Sequence, residues 1–237
     1  MKTEFHPAAS RGHAHHGWLE ARHSFSFASW FNRDRMHFGA LRVLNDDIVA
    51  PGMGFGKHPH DNMEIITIPI RGSLKHEDSM GFSEEIRAGE VQVMSAGTGI
   101  YHSEFNASTT EDINLFQLWI FPNRQEVAPR YQQMAYETAQ AKDQFLQLVS
   151  PNPEDEGLWI YQDAWIHLID MEANSSKTYT WKRSGNGVYA MNIEGQKAMA
   201  NQVLNDRDAL GAWETDTIEI QAKENGRILL IEVPMQF

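Results

Sequence analysis

The sequence predicts an all-β protein: two antiparallel β-barrels or sandwiches of about a hundred residues each, joined by a short, partly helical linker. Three observations carry this. Short apolar stretches recur along both halves of the chain and are separated by glycine-rich turns. One mid-chain stretch, residues 129–150, is instead rich in Gln, Ala and Leu and free of glycine. The length of 237 residues exceeds the usual single domain, so two domains or one large β-fold are the natural choices. A single large sandwich is the architectural alternative.

The elements follow in order. Residues 24–28 (SFSFA) alternate small and aromatic side chains, as a half-buried strand would. Residues 62–70 (NMEIITIPI) form a strongly apolar strand closed by the turn Arg71-Gly72-Ser73. A further strand, 91–94 (VQVM), follows Gly89-Glu90, and 112–121 (DINLFQLWIF) is another long one. Residues 129–150 predict one or two short helical turns ending before Pro151. Strand patterns return at 158–171, 179–182, 187–193, 197–204, 217–221 and 227–233. The expected division is an N-terminal barrel over 1–125 and a C-terminal barrel over 126–237, with the helical linker inside 126–150.

Composition excludes several classes. The net charge is −12, from 20 basic and 32 acidic residues, and no basic run is present. Direct nucleic-acid binding needs basic patches that displace counterions, so it is not expected. The acidic cluster Glu154-Asp155-Glu156 follows Pro151 and Pro153 and reads as a solvated turn. No apolar run approaches the ~20 residues that span a bilayer. The first residues carry no apolar signal segment, so a cytoplasmic protein is expected. The absence of cysteine excludes disulfides, thiolate ligation and a cysteine nucleophile. No P-loop, Rossmann fingerprint, nucleophile elbow or Ser-His-Asp arrangement is visible.

The chemistry lies in two pairs about forty residues apart, His58-Pro59-His60 and His102-Ser103-Glu104. Residues i and i+2 of a strand share a face, so each pair can aim two ligands at one point. If the two strands face each other in a small barrel, three imidazoles and one carboxylate surround a single ion. That set suits Fe(II), Mn(II), Ni(II), Cu(II) or Zn(II) and lacks the thiolates of structural zinc sites. With eleven histidines in the chain, one H-x-H could arise by chance; the second pair, with glycine-rich turns before both, separates the site from that background. His13, His15 and His16 precede the first clear strand and read as a mobile histidine-rich terminus. His23 and His37 have no assigned role. His76 lies just past a turn, where a hydrogen bond to Asp78 or the backbone is expected rather than metal contact. Phe25, Phe27, Met53, Phe55 and Phe116 are candidates for either a pocket wall or the core.

The spacing Gly52, His58, His60, Glu64, Gly72 and the stretch Gly89, Gly97, Gly99, His102, Glu104, Asn106 resemble the paired motifs of the cupin superfamily. The first has one extra residue before its last glycine. In the second, Ser95 stands where proline is usual and two additional residues precede His102. Gly17-Trp18-Leu19, His23-Ser24-Phe25-Ser26-Phe27, residues 41–47 (LRVLNDD), His76-Glu77-Asp78-Ser79 and residues 94–104 (MSAGTGIYHSE) are together similar to the pirin family. They look closest to its bacterial members, some of which are quercetin 2,3-dioxygenases. The likeness is dense from about residue 11 to 131 and thinner beyond.

The resemblance implies a bicupin, two stacked antiparallel barrels, with one divalent transition metal ion in the N-terminal barrel. Its ligands carry over to His58, His60, His102 and Glu104. Fe(II) comes first, with Mn, Ni, Cu and Zn open. Glu64 ligates metal in many other cupins but not in the pirin pattern, although parity alone would allow it on an unbroken strand. Asn106 and Glu64 are candidates to orient the imidazoles. The C-terminal half has the single histidine His167 on an apolar strand and is expected to be structural. The implied activity is a metal-dependent dioxygenase that cleaves the heterocyclic ring of a flavonol such as quercetin with O2 and releases CO. Glu104 would be the catalytic base for the 3-hydroxyl proton. The alternative is a non-enzymatic, iron-dependent, redox-sensing regulator that binds a protein partner. A metal-dependent isomerase or hydrolase on the same scaffold stays open.

Overall fold

The computed structural model describes residues 1–237. Strands make up nearly all of its regular structure, and the two helical pieces, Ala8–Ser10 and Thr138–Ala141, are single 3-10 turns. No helix is long and apolar enough to cross a membrane. The two stacked antiparallel barrels expected from the sequence are present, each made of a seven-stranded and a four-stranded sheet.

In the first barrel the larger sheet runs Arg130–Ala135, Glu90–Ser95, Glu64–Arg71, Ile113–Ile120, Leu41–Val49, Leu19–His23, Gly12–His15. The smaller runs Gly54–His60, Ile100–Asn106, Ser73–Asp78, Ser83–Arg87. In the second barrel the larger sheet has Asn186–Asn192, Gly226–Pro234 and Trp165–Met171 at its centre.

The largest apolar cluster lies between the two larger sheets. It joins Leu44, Ile66, Ile68, Phe116 and Leu118 of one to Ile166, Leu168, Leu229 and Ile231 of the other. The two-residue period then dictates the other face of each strand. On Ile113–Ile120, Phe116, Leu118 and Ile120 enter this inter-barrel layer, so Gln117 and Trp119 face the interior of the first barrel. Burial of this layer, worth about 25 cal/mol per Å² of apolar area, holds the barrels together.

The structure departs from the expected division in informative places. Lys2–His6 pairs with Ala209–Trp213 of the second barrel, and Arg130–Ala135 pairs with Glu90–Ser95 of the first, so strand pairing crosses 125/126 in both directions. The expected helical linker is reduced to the 3-10 turn Thr138–Ala141, with strands on either side at Arg130–Ala135 and Leu146–Ser150. Alanine and glutamine are good helix formers, but intrinsic propensity is a weak force and sheet pairing overrides it. Residues 24–28 form no strand: after Ser24 the chain leaves Leu41–Val49 and turns through Ala28 at φ 50°. Of the aromatics left open between pocket wall and core, Phe25 and Phe116 are core, buried in the inter-barrel layer. His13 and His15 are not on a loose terminus; they lie on the edge strand Gly12–His15, paired with Leu19–His23.

Candidate metal centre

The smaller sheet of the first barrel assembles the site. Ile100–Asn106 pairs with Gly54–His60 on one side, placing His102 opposite His58, and with Ser73–Asp78 on the other, placing Glu104 opposite His76. An irregularity between His102 and Glu104 lets Phe55, not Gly56, face Glu104. The bulge leaves His58 and His60 in regular register with His102 and Ile100 and shifts only the pairing of Glu104.

The three imidazoles converge. Ring centroids are 4.8 Å apart for His58 and His60, 4.4 Å for His58 and His102, and 4.9 Å for His60 and His102. One ring nitrogen from each lies within 4.8 Å of the others, and Glu104 belongs to a second such group with His76 and His102. His58 Nδ1 donates to the Gly56 carbonyl at 2.8 Å. A carbonyl only accepts, so the proton sits on Nδ1 and Nε2 keeps its lone pair. Both ring nitrogens of His102 are buried without a partner. Orphaned buried imidazole nitrogens beside a free Nε2 are what a divalent ion would satisfy, and the donor set fits one.

Burial pushes the His60 pKa down to about 4 and that of His102 down to about 3, with neighbouring imidazoles adding to the effect. Both rings are therefore neutral at pH 7, the form that binds metal. Glu104 is buried, and its Oε2 accepts from Gln117 Nε2 at 2.8 Å. Trp119 Nε1 donates to Gln117 Oε1 at 3.2 Å. An indole only donates and a carboxylate only accepts, so both neighbours fix the same amide orientation. Trp119 also sets its ring edge against His60 at 4.8 Å and packs on Phe27 at 5.3 Å. Gln117 and Trp119 were not singled out by the sequence. The available signal was the one amide in the otherwise apolar run 115–121, on the same face as Trp119.

The other candidates fall outside this cluster. Glu64 does not continue the face of His58 and His60, because Asn62 turns the chain at φ 43° and Glu64 starts a strand of the other sheet. Its Oε2 accepts from Ser95 Oγ at 2.7 Å, and burial raises its pKa to about 7. Asn106 bonds elsewhere too: its Nδ2 donates to the Val49 and Glu111 carbonyls, closing the loop after its strand. His76 makes the expected bond to Asp78. His167 is buried in the second barrel against the Tyr179 hydroxyl at 3.2 Å, and that barrel holds no comparable group of ligands.

Comparison with known proteins shows the family and the fold. A family model described as Pirin matches residues 4–120, and one described as Quercetinase C-terminal cupin domain matches 147–233. The quercetin 2,3-dioxygenase of Escherichia coli (strain K12) is 40% identical over 230 residues, covering 96% of both chains. The pirin-like protein of Caulobacter vibrioides is 37% identical over 227 residues, 95% of this chain and 97% of its own. Among solved structures, the bacterial pirin YhhW of Escherichia coli in complex with nickel(II) superposes with a TM-score of 0.93 at 36% identity, over 98% of this chain and 99% of that one.

Proposed function

The chain belongs to the pirin family and has its bicupin fold, and on that premise we propose that it is a metal-dependent dioxygenase that opens the heterocyclic ring of a flavonol with O2 and releases CO. The observation that carries the proposal is the convergence of His58, His60 and His102 with the carboxylate of Glu104 beside them. These four residues would hold one divalent ion, Fe(II) first among the candidates; the nickel(II) complex of YhhW supports a divalent transition metal in general. When bound, the ion supplies Lewis acidity to a chelating substrate and access to O2.

The chain's own residues supply the rest. Glu104, as a carboxylate, accepts the proton of the 3-hydroxyl and leaves an electron-rich flavonolate. Gln117 donates to Oε2 of Glu104, which leaves the other oxygen as the one that would hold the ion or, in its place, take that proton. Trp119, packed edge-on with His60 and backed by Phe27, would supply apolar aromatic surface beside the imidazoles for an aromatic substrate. The C-terminal barrel, whose interior is filled by residues such as Met171, Tyr179, Val188 and Ile220, supports the first without chemistry of its own.

The test reconstitutes metal-free protein separately with Fe(II), Mn(II), Ni(II), Cu(II) and Zn(II) and follows quercetin loss, O2 uptake and CO release. Turnover with at least one ion, abolished in His60→Ala and Glu104→Ala, is the expected result. Stoichiometric metal binding without turnover by any ion would replace the enzyme with the non-enzymatic regulator. Normal metal content in a His58→Ala/His102→Ala protein would overturn the ligand set.

A further inference from the structure

His76 and Asp78 are buried next to the proposed ligands and have no part in the chemistry above. Their side chains have 0% exposure, and His76 Nε2 lies 3.1 Å from Asp78 Oδ2. Asp78 is held in turn: its Oδ1 accepts from the backbone N–H of Met80 at 2.8 Å and of Phe82 at 3.2 Å. The ring of His76 lies against Tyr131 at 4.7 Å, and Tyr131 stacks on Phe82 at 5.0 Å. The imidazole is thus fixed in place and in orientation.

With Nε2 donating to the carboxylate, Nδ1 of His76 is an acceptor, and it is buried without a partner. Both nitrogens of His102 are in the same condition. Only one of the two can bind an ion; the other must carry hydrogen, and a buried donor without an acceptor is costly. The His76 and His102 ring centroids are 5.3 Å apart, close to the roughly 5 Å spacing of two imidazoles joined by one N–H···N bond.

We propose that His76 is a positioning residue of the metal centre: the metal-free nitrogen of His102 donates to His76 Nδ1, and His76 Nε2 donates to Asp78. This chain selects the tautomer of His102 and orients its ring toward the ion, as outer partners of metal-bound histidines do. His76 also groups with His102 and Glu104 within 4.8 Å, so direct ligation is the competing role. Direct ligation would leave the second nitrogen of His102 without an acceptor, whereas the chain pairs both orphans. The assignment rests on the metal set proposed above.

The experiment uses the full-length protein titrated with Zn(II) and Co(II). Wild type should bind one ion, and His76→Leu and Asp78→Asn should bind about 10–100-fold more weakly. His76→Gln, whose carbonyl still accepts, should retain most of the affinity. In ¹⁵N-labelled Zn(II) protein, the His102 N–H proton should be slow to exchange and coupled to a His76 nitrogen, and this coupling should vanish in the variants. Should His76→Leu fail to fold, Asp78→Asn carries the test alone, because an amide can donate to Nε2 and force a proton onto Nδ1. Unchanged affinity in Asp78→Asn, or Co(II) spectra that lose one nitrogen donor in His76→Leu, would overturn the proposal. A wild type that binds no metal would overturn the ligand set itself, a failure distinct from wild-type binding that the variants leave intact.

Discussion

Gln117 donates from Nε2 to Oε2 of Glu104 across 2.8 Å, while its own oxygen accepts from Trp119. The carboxylate is thereby positioned by a neighbouring sheet rather than by its own strand: Gln117 belongs to Ile113–Ile120 and Glu104 to Ile100–Asn106. Replacing Gln117 by Leu removes a hydrogen bond to a charged acceptor, and such bonds contribute about 1.5–3 kcal/mol. Metal affinity should fall roughly 10–100-fold in a chelator-competition titration. Gln117→Glu should weaken it further, by setting two carboxylates against each other. Wild-type affinity in both variants would show that Gln117 does not position Glu104.

That His58, His60, His102 and Glu104 share one face was legible in the sequence because the strand period is two, so H-x-H and H-x-E each declare a shared face. The same rule offered Glu64 through unbroken parity, and it failed at Asn62, where a positive φ sends the chain into the other sheet. A tertiary crossing of that kind leaves little trace in local pattern. Gln117 and the acceptor role of His76 were hidden for a related reason: both depend on which strands lie side by side, and neighbours such as Arg130–Ala135 and Glu90–Ser95 are set by the closed barrel, not by composition. The Gln- and Ala-rich stretch misled toward helix because propensity is a weaker force than sheet pairing.

Glu64 gives a prediction with a defined sign. Its pKa is raised from 4.5 to about 7, chiefly by burial, with the Ser95 hydroxyl and Arg130 opposing the shift. A raised pKa means that the unfolded chain loses its proton first. Stability from the protonated form is therefore complete below about pH 4.5 and lost as pH rises through about 7. Glu64→Gln mimics the neutral carboxyl, so its melting temperature relative to wild type should climb between pH 5 and pH 8, by the equivalent of about 1–3 kcal/mol. Its metal content should stay at the wild-type level. A loss of metal would return Glu64 to the ligand set.

The imidazoles have the opposite slope. His60 and His102 stay neutral down to about pH 4 and about pH 3, while an unfolded histidine takes a proton near 6.5. Their contribution in metal-free protein is therefore full above about pH 6.5 and is lost as pH falls toward the folded values, by on the order of 1 kcal/mol per pH unit for each ring. Other buried carboxyls also titrate, so the useful quantity is a difference. Metal-free Glu64→Gln protein is compared with the same protein carrying His60→Gln and His102→Gln. The stability gap should shrink or reverse as pH drops from 7 to 5. A gap independent of pH would mean that the rings are not buried in their neutral form.

Gly97 tests the turn that brings the second pair into place. It sits at φ 49°, its carbonyl accepts from Asn62 N at 2.9 Å, and the next residue, Thr98, donates from N to the Val127 carbonyl at 3.0 Å. A Cβ at Gly97 would overlap that same Val127 oxygen, whereas one at Gly99 meets nothing within 4 Å. Left-handed backbone costs a residue with a Cβ about 1–2 kcal/mol, and a clash with fixed backbone adds a comparable amount. Gly97→Ala should therefore lose about 2–4 kcal/mol, roughly 5–15 °C in melting temperature for a chain of this size. Gly99→Ala bears only the backbone term and should lose less. Because this turn tethers the bend at Asn62 to the start of Ile100–Asn106, Gly97→Ala should also weaken metal binding, with His102 displaced relative to His58. Equal melting temperatures for the two variants would show that the Val127 contact does not set the turn.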